Sequence, residues 1–378
     1  MMHTRQNLRV GIIFGGRSGE HEISLLSARS VLAALNPEKY EVVQIGITHE
    51  GAWLVGESVL EKMEEGRFEE LTPAAMLPDP TRQGLFELQG GSSKEALKLL
   101  AEVDVAFPLL HGTFGEDGTI QGLFEMAEIA YVGSGVPGSS VGMDKAIFKD
   151  VLRANQIPVV ESIVVTTRQI KSDIEKVLDL AENVARYPLF VKPVNLGSSV
   201  GVSKCRNRSD LMEGLMDAAR YDRRVLVERG VEAREIEVSV LGNDQPEASV
   251  VGEIIPADEF YSYEAKYHDD RSQLLIPAPL PEEVSNLVRS LAVRSFLAID
   301  AAGLARVDFL LDKENGQLYV NEINTIPGFT RISMYPKLWN ATGVSYPELV
   351  DRLIELAMER KADRDQIERR YYRDQAGD

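Results

Sequence analysis

The sequence has a single cysteine, Cys205, among its 378 residues. One thiol cannot build a disulfide framework or a thiolate metal site, and so few cysteines are typical of proteins from a reducing compartment. No two of the five histidines have the spacing of a metal-ligand pair, so we do not expect a zinc site.

Long apolar runs are also missing. No stretch approaches the roughly 20 apolar residues that cross a membrane. The N-terminal segment MMHTRQNLRVGIIFGG has too short an apolar run for a signal peptide. We therefore expect a cytoplasmic protein with no membrane partner.

Basic residues are outnumbered by acidic ones. Lys and Arg total 41 and Asp and Glu total 59, which gives a formal net charge of −18. This balance argues against a nucleic-acid partner, whose binding surface would be basic. It does not exclude a phosphate ligand, because a few Lys and Arg side chains in one cleft suffice. The 44% hydrophobic and 26% charged residues are ordinary globular values, and the length predicts two or three domains.

The first third of the chain alternates strand-like apolar runs with a helical pattern. This alternation predicts a parallel sheet that is covered on both faces. We predict a surface loop at Gly84–Ser93 and a domain boundary within the glycine-rich stretch Tyr131–Met143. The predicted elements here are a strand at Arg9–Gly16, a helix at Ile23–Leu35, and strands at Tyr40–Thr48 and Val103–Leu110.

The rest of the chain mixes strands and helices. Its longest helical pattern, Glu282–Ile299, has apolar residues at i, i+3, i+4 and i+7. A hairpin follows, with strands Leu304–Leu311 and Gln317–Ile323 around Asn315-Gly316. The charged tail after Met358 is predicted to be a solvent-exposed helix. Further predicted elements are strands at Leu189–Lys192, Val225–Glu228 and Glu235–Leu241 and a helix at Asp210–Ala219.

Two glycine-rich segments follow predicted strands in the first third. GGRSGEHEIS, Gly15–Ser24, leads into a helix, whose N-terminus attracts anions. Its glycines lack the dinucleotide-binding spacing, which argues against a dehydrogenase. From this segment alone a tight turn is as good an interpretation as a ligand loop. LLHGTFGEDGTIQG, Leu109–Gly122, follows a strand end, where open α/β sheets bind ligands, and His111 is either a turn residue or a substrate contact.

A third segment, FVKPVNLGSSVGVSK, spans Phe190–Lys204. Lys192 at a strand end, followed by glycines and serines, can surround phosphates with an ammonium group and backbone N–H donors. A flexible linker is the alternative interpretation, and the flanking predicted strands argue against it.

The predicted hairpin carries the strongest set of polar side chains. Arg306 and Asp308 share a face of the first strand, as Glu322 and Asn324 do on the second, because each pair is two residues apart. Carboxylate and amide oxygens suit a hard cation such as Mg²⁺, which also binds phosphate oxygens. A solvated sheet face is the alternative, and the apolar residues on the opposite face argue against it.

Asp308 and Glu322 can face each other only under a condition on the hairpin. Thirteen residues lie between them, so a regular ladder pairs them directly only when the loop has an odd number of residues. We therefore predict a loop of three or five residues with Gly316 at positive φ. A two-residue turn without a bulge would place the two carboxylates on opposite faces.

Eight segments, in order from about Val10 to Tyr346, are together typical of one family. They are GGRSGEHEIS, HGTFGEDG, GMDK, VKPVNLGSSVGVSK, REIEVSVLG, EFYSYEAKY, ARVDFLL and NEINTIPGFT. Through them the chain resembles the D-alanine–D-alanine ligases of the ATP-grasp superfamily.

The resemblance implies an α/β (α+β) fold in three parts. An N-terminal parallel-sheet domain, residues 1–140, would precede two ATP-grasp subdomains at residues 141–233 and 234–378, with ATP between them. A lid loop at residues 257–275 would close over the substrates and protect an acyl phosphate from water. The resemblance also implies a homodimer.

It further implies roles at the nucleotide and metal sites. Asp308, Glu322 and Asn324 would bind two Mg²⁺ or Mn²⁺ ions that bridge the β- and γ-phosphates. The implied ATP site comprises Lys145 and Lys192 at the phosphates, Glu228 near the adenine amino group, Glu235 near the ribose hydroxyls, and Val231 and Lys266.

The implied reaction has two steps. The carboxylate of one D-alanine attacks the γ-phosphate of ATP, and the amine of a second D-alanine then displaces phosphate from the acyl phosphate. Arg306 and the backbone N–H of Gly328 would stabilise the oxyanion of the tetrahedral intermediate. The other implied roles are Glu20 at the first ammonium group, His111 beside the first substrate, Ser333 and Met334 at the second carboxylate, and Glu20, Ser198 and Tyr267 as a hydrogen-bonded trio.

Two alternatives stay open. A related ligase could make D-alanyl-D-lactate, but Tyr267 by similarity marks ligases that use D-alanine, so we predict the dipeptide. A protonated His268 would favour lactate instead, but Asp269 and Asp270 follow it in the chain, so we interpret His268 as facing solvent. A nucleotide-binding regulator without catalysis is the other alternative, and the presence of Arg306 and of all three metal-ligand candidates argues against it.

Overall fold

The computed structural model describes residues 7–88, 97–197, 200–255 and 273–368. Three β-sheets of eight, four and five strands organise these residues, and helices pack against them. Ser198, Lys266, Tyr267 and residues 257–272 of the predicted lid lie outside the described residues. None of the helices in the described ranges is long and apolar enough to cross a membrane.

The first eight strands form one sheet. They are β1 (Leu8–Gly15), β2 (Tyr40–Ile47), β3 (Trp53–Val55), β4 (Thr72–Met76), β5 (Leu85–Leu88), β6 (Leu97–Ala101), β7 (Val105–Pro108) and β8 (Ala130–Tyr131). Their order across the sheet is β6-β5-β4-β3-β2-β1-β7-β8. Strands β2, β1, β7 and β8 run parallel, as predicted, whereas β3 to β6 extend the sheet with antiparallel pairs that the prediction did not include.

The prediction of a surface loop at Gly84–Ser93 is wrong for residues 85–88. Residues 85–88 form β5, which pairs with β4 and β6. Leu85 and Phe86 are buried in this strand, so their apolar surface outweighs the turn signal of the neighbouring glycines. The remainder of the predicted loop lies outside the described residues.

The other two sheets are antiparallel. The second has the order β11-β10-β12-β9 and the third the order β15-β14-β13-β16-β17. The bounds are β9 (Ser162–Thr166), β10 (Leu189–Pro193), β11 (Ser203–Cys205), β12 (Arg224–Arg229), β13 (Ala233–Gly242), β14 (Glu247–Ile255), β15 (Gln273–Leu275), β16 (Gly303–Asp312) and β17 (Leu318–Asn324). Strand β15 thus occupies the end of the predicted lid loop.

The helices cover the sheets with apolar faces. They are α1 (His21–Leu32), α2 (Val59–Glu64), α3 (Thr119–Ala127), α4 (Val136–Met143), α5 (Lys145–Ala154), α6 (Thr167–Ser172), α7 (Ile174–Glu182), α8 (Arg208–Ala218), α9 (Glu282–Ala298), α10 (Met334–Thr342) and α11 (Tyr346–Asp365). Helix α9 ends within a residue of its predicted bounds, and its Val288, Leu291 and Phe296 pack into the core of the third sheet, as the helical spacing predicts.

The hairpin of β16 and β17 pairs Asp308 with Glu322, as predicted, but not through an odd loop. The Asp312 N–H donates to the carbonyl of Gln317 at 2.9 Å, which leaves residues 313–316, an even number, as the loop. An extra residue, Asn321, bulges from β17 and brings the two carboxylates back onto one face. The predicted loop length is therefore wrong, whereas the positive φ of Gly316, +72°, is confirmed.

The bulge has a physical cause in the packing of two side chains of β17. Val320 and Ile323 are three residues apart, so a regular strand would place them on opposite faces. Both are nevertheless buried, at 0% and 4% exposure, in the same core as Val307 and Phe309. A single extra residue between Val320 and Ile323 allows both side chains to be buried and also leaves Glu322 opposite Asp308.

The C-terminal helix α11 packs on the first sheet. The Arg360 guanidinium lies 4.2 Å from the centroid of the Tyr131 ring and donates to the carbonyls of Gly133 and Tyr131. Arg364 pairs with Glu125. The prediction of a solvent-exposed tail helix is therefore wrong for these residues, because a guanidinium can be buried where an aromatic face and carbonyl acceptors receive it.

Candidate active site

One cavity lies where the loops of the first sheet meet strands β16 and β17. Its walls come from the start of α1, the loop after β7, the first turn of α5, and the hairpin with the loop that follows it. The cavity brings together seven of the predicted site residues: Glu20, His111, Lys145, Arg306, Glu322, Asn324 and Gly328.

A tight turn after β1 places Glu20. Gly15 has φ +88°, and a Cβ there would lie 2.2 Å from the carbonyl oxygen of Ile47, so only glycine fits. The Ser24 hydroxyl then accepts from the Gly15 N–H at 2.7 Å and donates to the carbonyl of Leu109 at 2.6 Å, which ties α1 to the end of β7. The segment is thus both a tight turn and a wall of the cavity.

His111 is buried and joins two walls of the cavity. Its Nδ1 lies 2.9 Å from the carbonyl oxygen of Ile326, and its Nε2 lies 3.0 Å from the Ser27 hydroxyl. Burial alone would lower the pKa of His111, but the neighbouring Glu116 carboxylate raises it above its ordinary value. Glu116, which the sequence analysis did not single out, also lines the cavity, and burial raises the pKa of its carboxyl. His111 therefore fixes the loop that carries Gly328.

Arg306 lies at the centre of a buried ion cluster. Its guanidinium donates two hydrogen bonds of 2.7 Å to Asp308 and lies 3.0 Å from a Glu237 carboxylate oxygen. Burial opposes the charge, yet Asp308 and Glu237 raise the pKa of Arg306 well above its ordinary value. The sequence analysis missed Glu237, although it lies two residues after Glu235 and so shares its strand face.

The proposed metal ligands have the donor chemistry of a hard-cation site. Asp308 and Glu322 are cross-strand partners, and Arg306 is the partner of Asn324. The Asn324 Nδ2 donates to Asp308 at 3.1 Å, so its amide oxygen is the atom that can bind a cation. Two carboxylates and an amide oxygen fit Mg²⁺ or Mn²⁺ and do not fit a soft metal.

The two lysines that are predicted to bind phosphate lie on different elements and both interact with the Glu322 carboxylate. Lys145, the first residue of α5, donates to the carbonyl of Leu196 at 2.9 Å and lies 3.3 Å from Glu322. The Lys192 ammonium pairs with Glu228 at 2.7 Å. Burial would lower the pKa of Lys192, but Glu228 and, to a smaller extent, Glu322 raise it. The two cations therefore belong to one electrostatic cluster with the metal-ligand candidates.

A second lysine, Lys149, also pairs with Glu228. Its ammonium lies 2.8 Å from the other carboxylate oxygen and donates to the carbonyl of Asn321, the bulged residue, at 3.3 Å. Sequence analysis missed Lys149, although it follows Lys145 by four residues and so shares its helix face. The carboxylate predicted to lie near adenine is thus held between two lysines.

Glu228 makes a pH-dependent contribution to stability. Burial would raise the pKa of Glu228, but Lys149 and Lys192 outweigh it and lower the pKa from 4.5 to about 2. A carboxyl group whose pKa is lower in the folded state than in the unfolded state stabilises the fold at pH values above its pKa in the unfolded state. This stabilisation is lost as the pH falls through its pKa in the folded state. The shift corresponds to about 3 kcal/mol. We expect the free energy of unfolding to decrease less steeply for Glu228→Gln than for the wild type between about pH 4.5 and 2.

The measurement is urea unfolding at a series of pH values for both proteins. The exposed Glu283→Gln on α9 serves as the matched control, and it should leave the slope as in the wild type. Equal acid slopes for wild type and Glu228→Gln would show that Glu228 is not held ionised by its two lysines.

Four other predicted residues in the described ranges do not line this cavity. Val231 precedes β13 and Glu235 belongs to it, and both are half-buried. The Ser333 hydroxyl lies 2.7 Å from that of Thr330, and the Met334 side chain is buried in a cluster with Leu338. Ser198, Lys266 and Tyr267 lie outside the described residues, so the trio with Glu20 stays a prediction.

A partly parallel sheet followed by two antiparallel sheets, with lysines and carboxylates around one cleft, defines the chain as an ATP-grasp ligase. Two family models, described as D-ala D-ala ligase N-terminus and D-ala D-ala ligase C-terminus, match residues 9–134 and 151–355. The chain belongs to the D-alanine–D-alanine ligase family.

Relatives and solved structures agree with this assignment. The chain is 51% identical over 351 residues to a D-alanine–D-alanine ligase of Heliobacterium modesticaldum, covering 93% of this chain and 94% of the relative. A D-alanine–D-alanine ligase structure from Coxiella burnetii aligns with a TM-score of 0.79 at 35% identity, covering 96% of this chain and 97% of that one. The VanG D-Ala:D-Ser ligase of Enterococcus faecalis aligns with a TM-score of 0.82 at 33% identity, covering 93% and 100%.

Proposed function

We propose that the chain joins two molecules of D-alanine to D-alanyl-D-alanine, with conversion of ATP to ADP and phosphate, for peptidoglycan precursor synthesis. The observation that carries the proposal is the single cavity that joins Glu20 to Arg306, Lys145 and the Asp308–Glu322 hairpin in a member of this family. A carboxylate for an ammonium group, a guanidinium for an oxyanion and cations for phosphates are the groups that this reaction needs.

In this proposal ATP binds between the subdomains at residues 141–233 and 234–378, which follow the N-terminal domain at residues 1–140. Lys145 and Lys192 bind its phosphates. Asp308, Glu322 and Asn324 hold Mg²⁺ or Mn²⁺, which neutralises phosphate charge. The adenosine contacts are Glu228, Val231, Glu235 and Lys266.

In the first step, a carboxylate oxygen of the first D-alanine attacks the γ-phosphorus of ATP. The bond from that phosphorus to the β-phosphate oxygen breaks, ADP leaves, and D-alanyl phosphate remains. Glu20 holds the ammonium group of this substrate, and His111 supports the adjoining wall. The lysines stabilise the charge on the phosphoryl oxygens during transfer.

In the second step, the neutral amine of the second D-alanine attacks the acyl carbon. Arg306 and the Gly328 N–H stabilise the oxyanion of the tetrahedral intermediate. The intermediate then collapses to the amide, the bond from the acyl carbon to the phosphate oxygen breaks, and the departing phosphate takes the proton that the amine nitrogen loses. Ser333 and Met334 hold the carboxylate of the second substrate. The trio of Glu20, Ser198 and Tyr267 orders the lid over the acyl phosphate and excludes water.

We also propose a homodimer and a cytoplasmic location. The homodimer rests on the family resemblance, and the location rests on the requirement for ATP.

The test is ADP release with product analysis. The protein is incubated with ATP, Mg²⁺, D-alanine and an excess of either D-lactate or D-serine, at pH 6 and pH 8. We expect ADP release to require D-alanine, and D-alanyl-D-alanine to dominate at both pH values. A protein that binds ATP without D-alanine-dependent ADP release would be a regulator, and dominant D-alanyl-D-lactate or D-alanyl-D-serine would overturn the proposed second substrate.

A further inference from the structure

Lys149 is a buried lysine on α5 that none of the roles above uses. Its side chain is 1% exposed, so its ammonium group has lost nearly all contact with water. A buried ammonium persists only when it is paired and hydrogen-bonded. Lys149 meets this requirement through Glu228 at 2.8 Å and the carbonyl of Asn321 at 3.3 Å.

Lys192 shares the Glu228 carboxylate but has a different setting. Its side chain is 16% exposed, against 1% for Lys149, and its ammonium lies 2.7 Å from the second oxygen of Glu228. It also donates to the side-chain oxygen of Asn321 at 3.5 Å, beside the metal-ligand candidate Glu322. Lys192 is therefore the more exposed member of the pair, and it lies beside the residue that precedes Glu322.

At Glu228 itself, two lysine ammonium groups pair with one carboxylate. Lys192 alone would neutralise Glu228, so the second lysine is not needed for charge balance while Lys192 stays on Glu228. It becomes necessary when a phosphate oxygen competes for Lys192, because Glu228 would otherwise be left as a buried charge without a partner.

We propose that Lys149 is a positioning residue for ATP binding, which holds Glu228 so that Lys192 can leave it for the phosphates. This inference rests on the proposed function. In the structure Lys192 pairs with Glu228. When ATP binds, Lys192 transfers to a phosphate oxygen, and Glu228 stays neutralised by Lys149 and available to adenine. Removal of Lys149 makes Glu228 retain Lys192.

The key variant is Lys149→Met, which keeps the apolar volume and removes the charge. We expect it to fold, because Lys192 still neutralises Glu228. Its Kd and KM for ATP should rise by about tenfold to a hundredfold, since Lys192 must leave a buried carboxylate that then has no partner. At saturating ATP, kcat should change less than threefold, because Lys192 reaches the same phosphate once ATP is bound.

The double variant Lys149→Met with Glu228→Gln separates positioning from simple packing. Glutamine keeps a polar side chain of the same size and no longer retains Lys192. We therefore expect the double variant to bind ATP at least fivefold more tightly than Lys149→Met. A purely structural Lys149 would give no such recovery, because the second substitution would then add its own loss.

The measurements are calorimetric titrations with ATP and with AMP in the presence of Mg²⁺, together with thermal unfolding. AMP affinity should change far less than ATP affinity, because the effect acts through the phosphates that Lys192 binds. Lys171→Met, on the surface helix α6, removes the same charge from an exposed position and should change neither affinity. If Lys149→Met does not fold, the same comparison is made with Lys149→Gln.

The positioning role of Lys149 and the proposed ligase function are overturned by different results. ATP affinity is measured without D-alanine, so an unchanged Kd for Lys149→Met, or no recovery in the double variant, would overturn the positioning role while wild-type ligase activity stood. Absence of D-alanine-dependent ADP release in the wild type would overturn the ligase and leave the binding data interpretable.

Discussion

Arg306→Lys is expected to lower kcat by about 10²–10³-fold, the loss seen when one oxyanion donor is removed from an enzyme. The guanidinium is fixed by two 2.7 Å hydrogen bonds to Asp308 and a 3.0 Å contact with Glu237. A lysine keeps the charge but cannot reproduce this planar fork, so its ammonium is not held where the oxyanion forms. KM for ATP should change little, because the lost interaction belongs to the transition state.

Steady-state ADP release measures this effect, and thermal unfolding shows how much folded protein is present. Arg352→Lys on α11 is the matched control, because Arg352 is partly exposed and pairs only with the exposed Glu348 in the described structure. A kcat within threefold of wild type in Arg306→Lys would remove Arg306 from the proposed oxyanion site.

Glu322→Gln is expected to lower turnover by at least about 10²-fold and to leave the melting temperature nearly unchanged. The Glu322 side chain is 24% exposed, and its 3.3 Å pair with Lys145 borders the cavity. A partly exposed ion pair contributes about 1 kcal/mol or less to stability. Lys145 also keeps its hydrogen bond to the Leu196 carbonyl. The loss therefore falls on cation and phosphate binding, and not on folding.

The measurement is ADP release per folded molecule over a Mg²⁺ titration. We expect Glu322→Gln to need more Mg²⁺ for its residual rate. Asp308→Asn should in addition lower stability, because it breaks the buried pair with Arg306, a kind of change that costs about 3–5 kcal/mol. If Glu322→Gln melted much lower and kept its activity, Glu322 would be structural.

Short-range sequence patterns were sufficient to predict several elements of this fold. The helix at α9 follows from apolar spacing within one segment, and the turn at Gly316 follows from its own residue type. The shared face of Arg306 and Asp308 follows from the two-residue period of a strand. These features depend on residues that are neighbours in the chain, so the sequence contains them directly. The order of eight such segments also identified the family.

The sequence by itself thus determined the family, eight of the seventeen described strands, four of the eleven described helices, and the seven predicted residues that line one cavity. Only the tertiary structure decided the groups whose partners are distant in the chain. Lys149 meets Asn321 across 172 positions, and Arg360 meets Gly133 across 227. The bulge at Asn321 likewise depends on burying Val320 and Ile323 in one core. Such choices follow from desolvation and packing between remote segments, because a buried charge or side chain takes its partner from whatever the fold brings beside it.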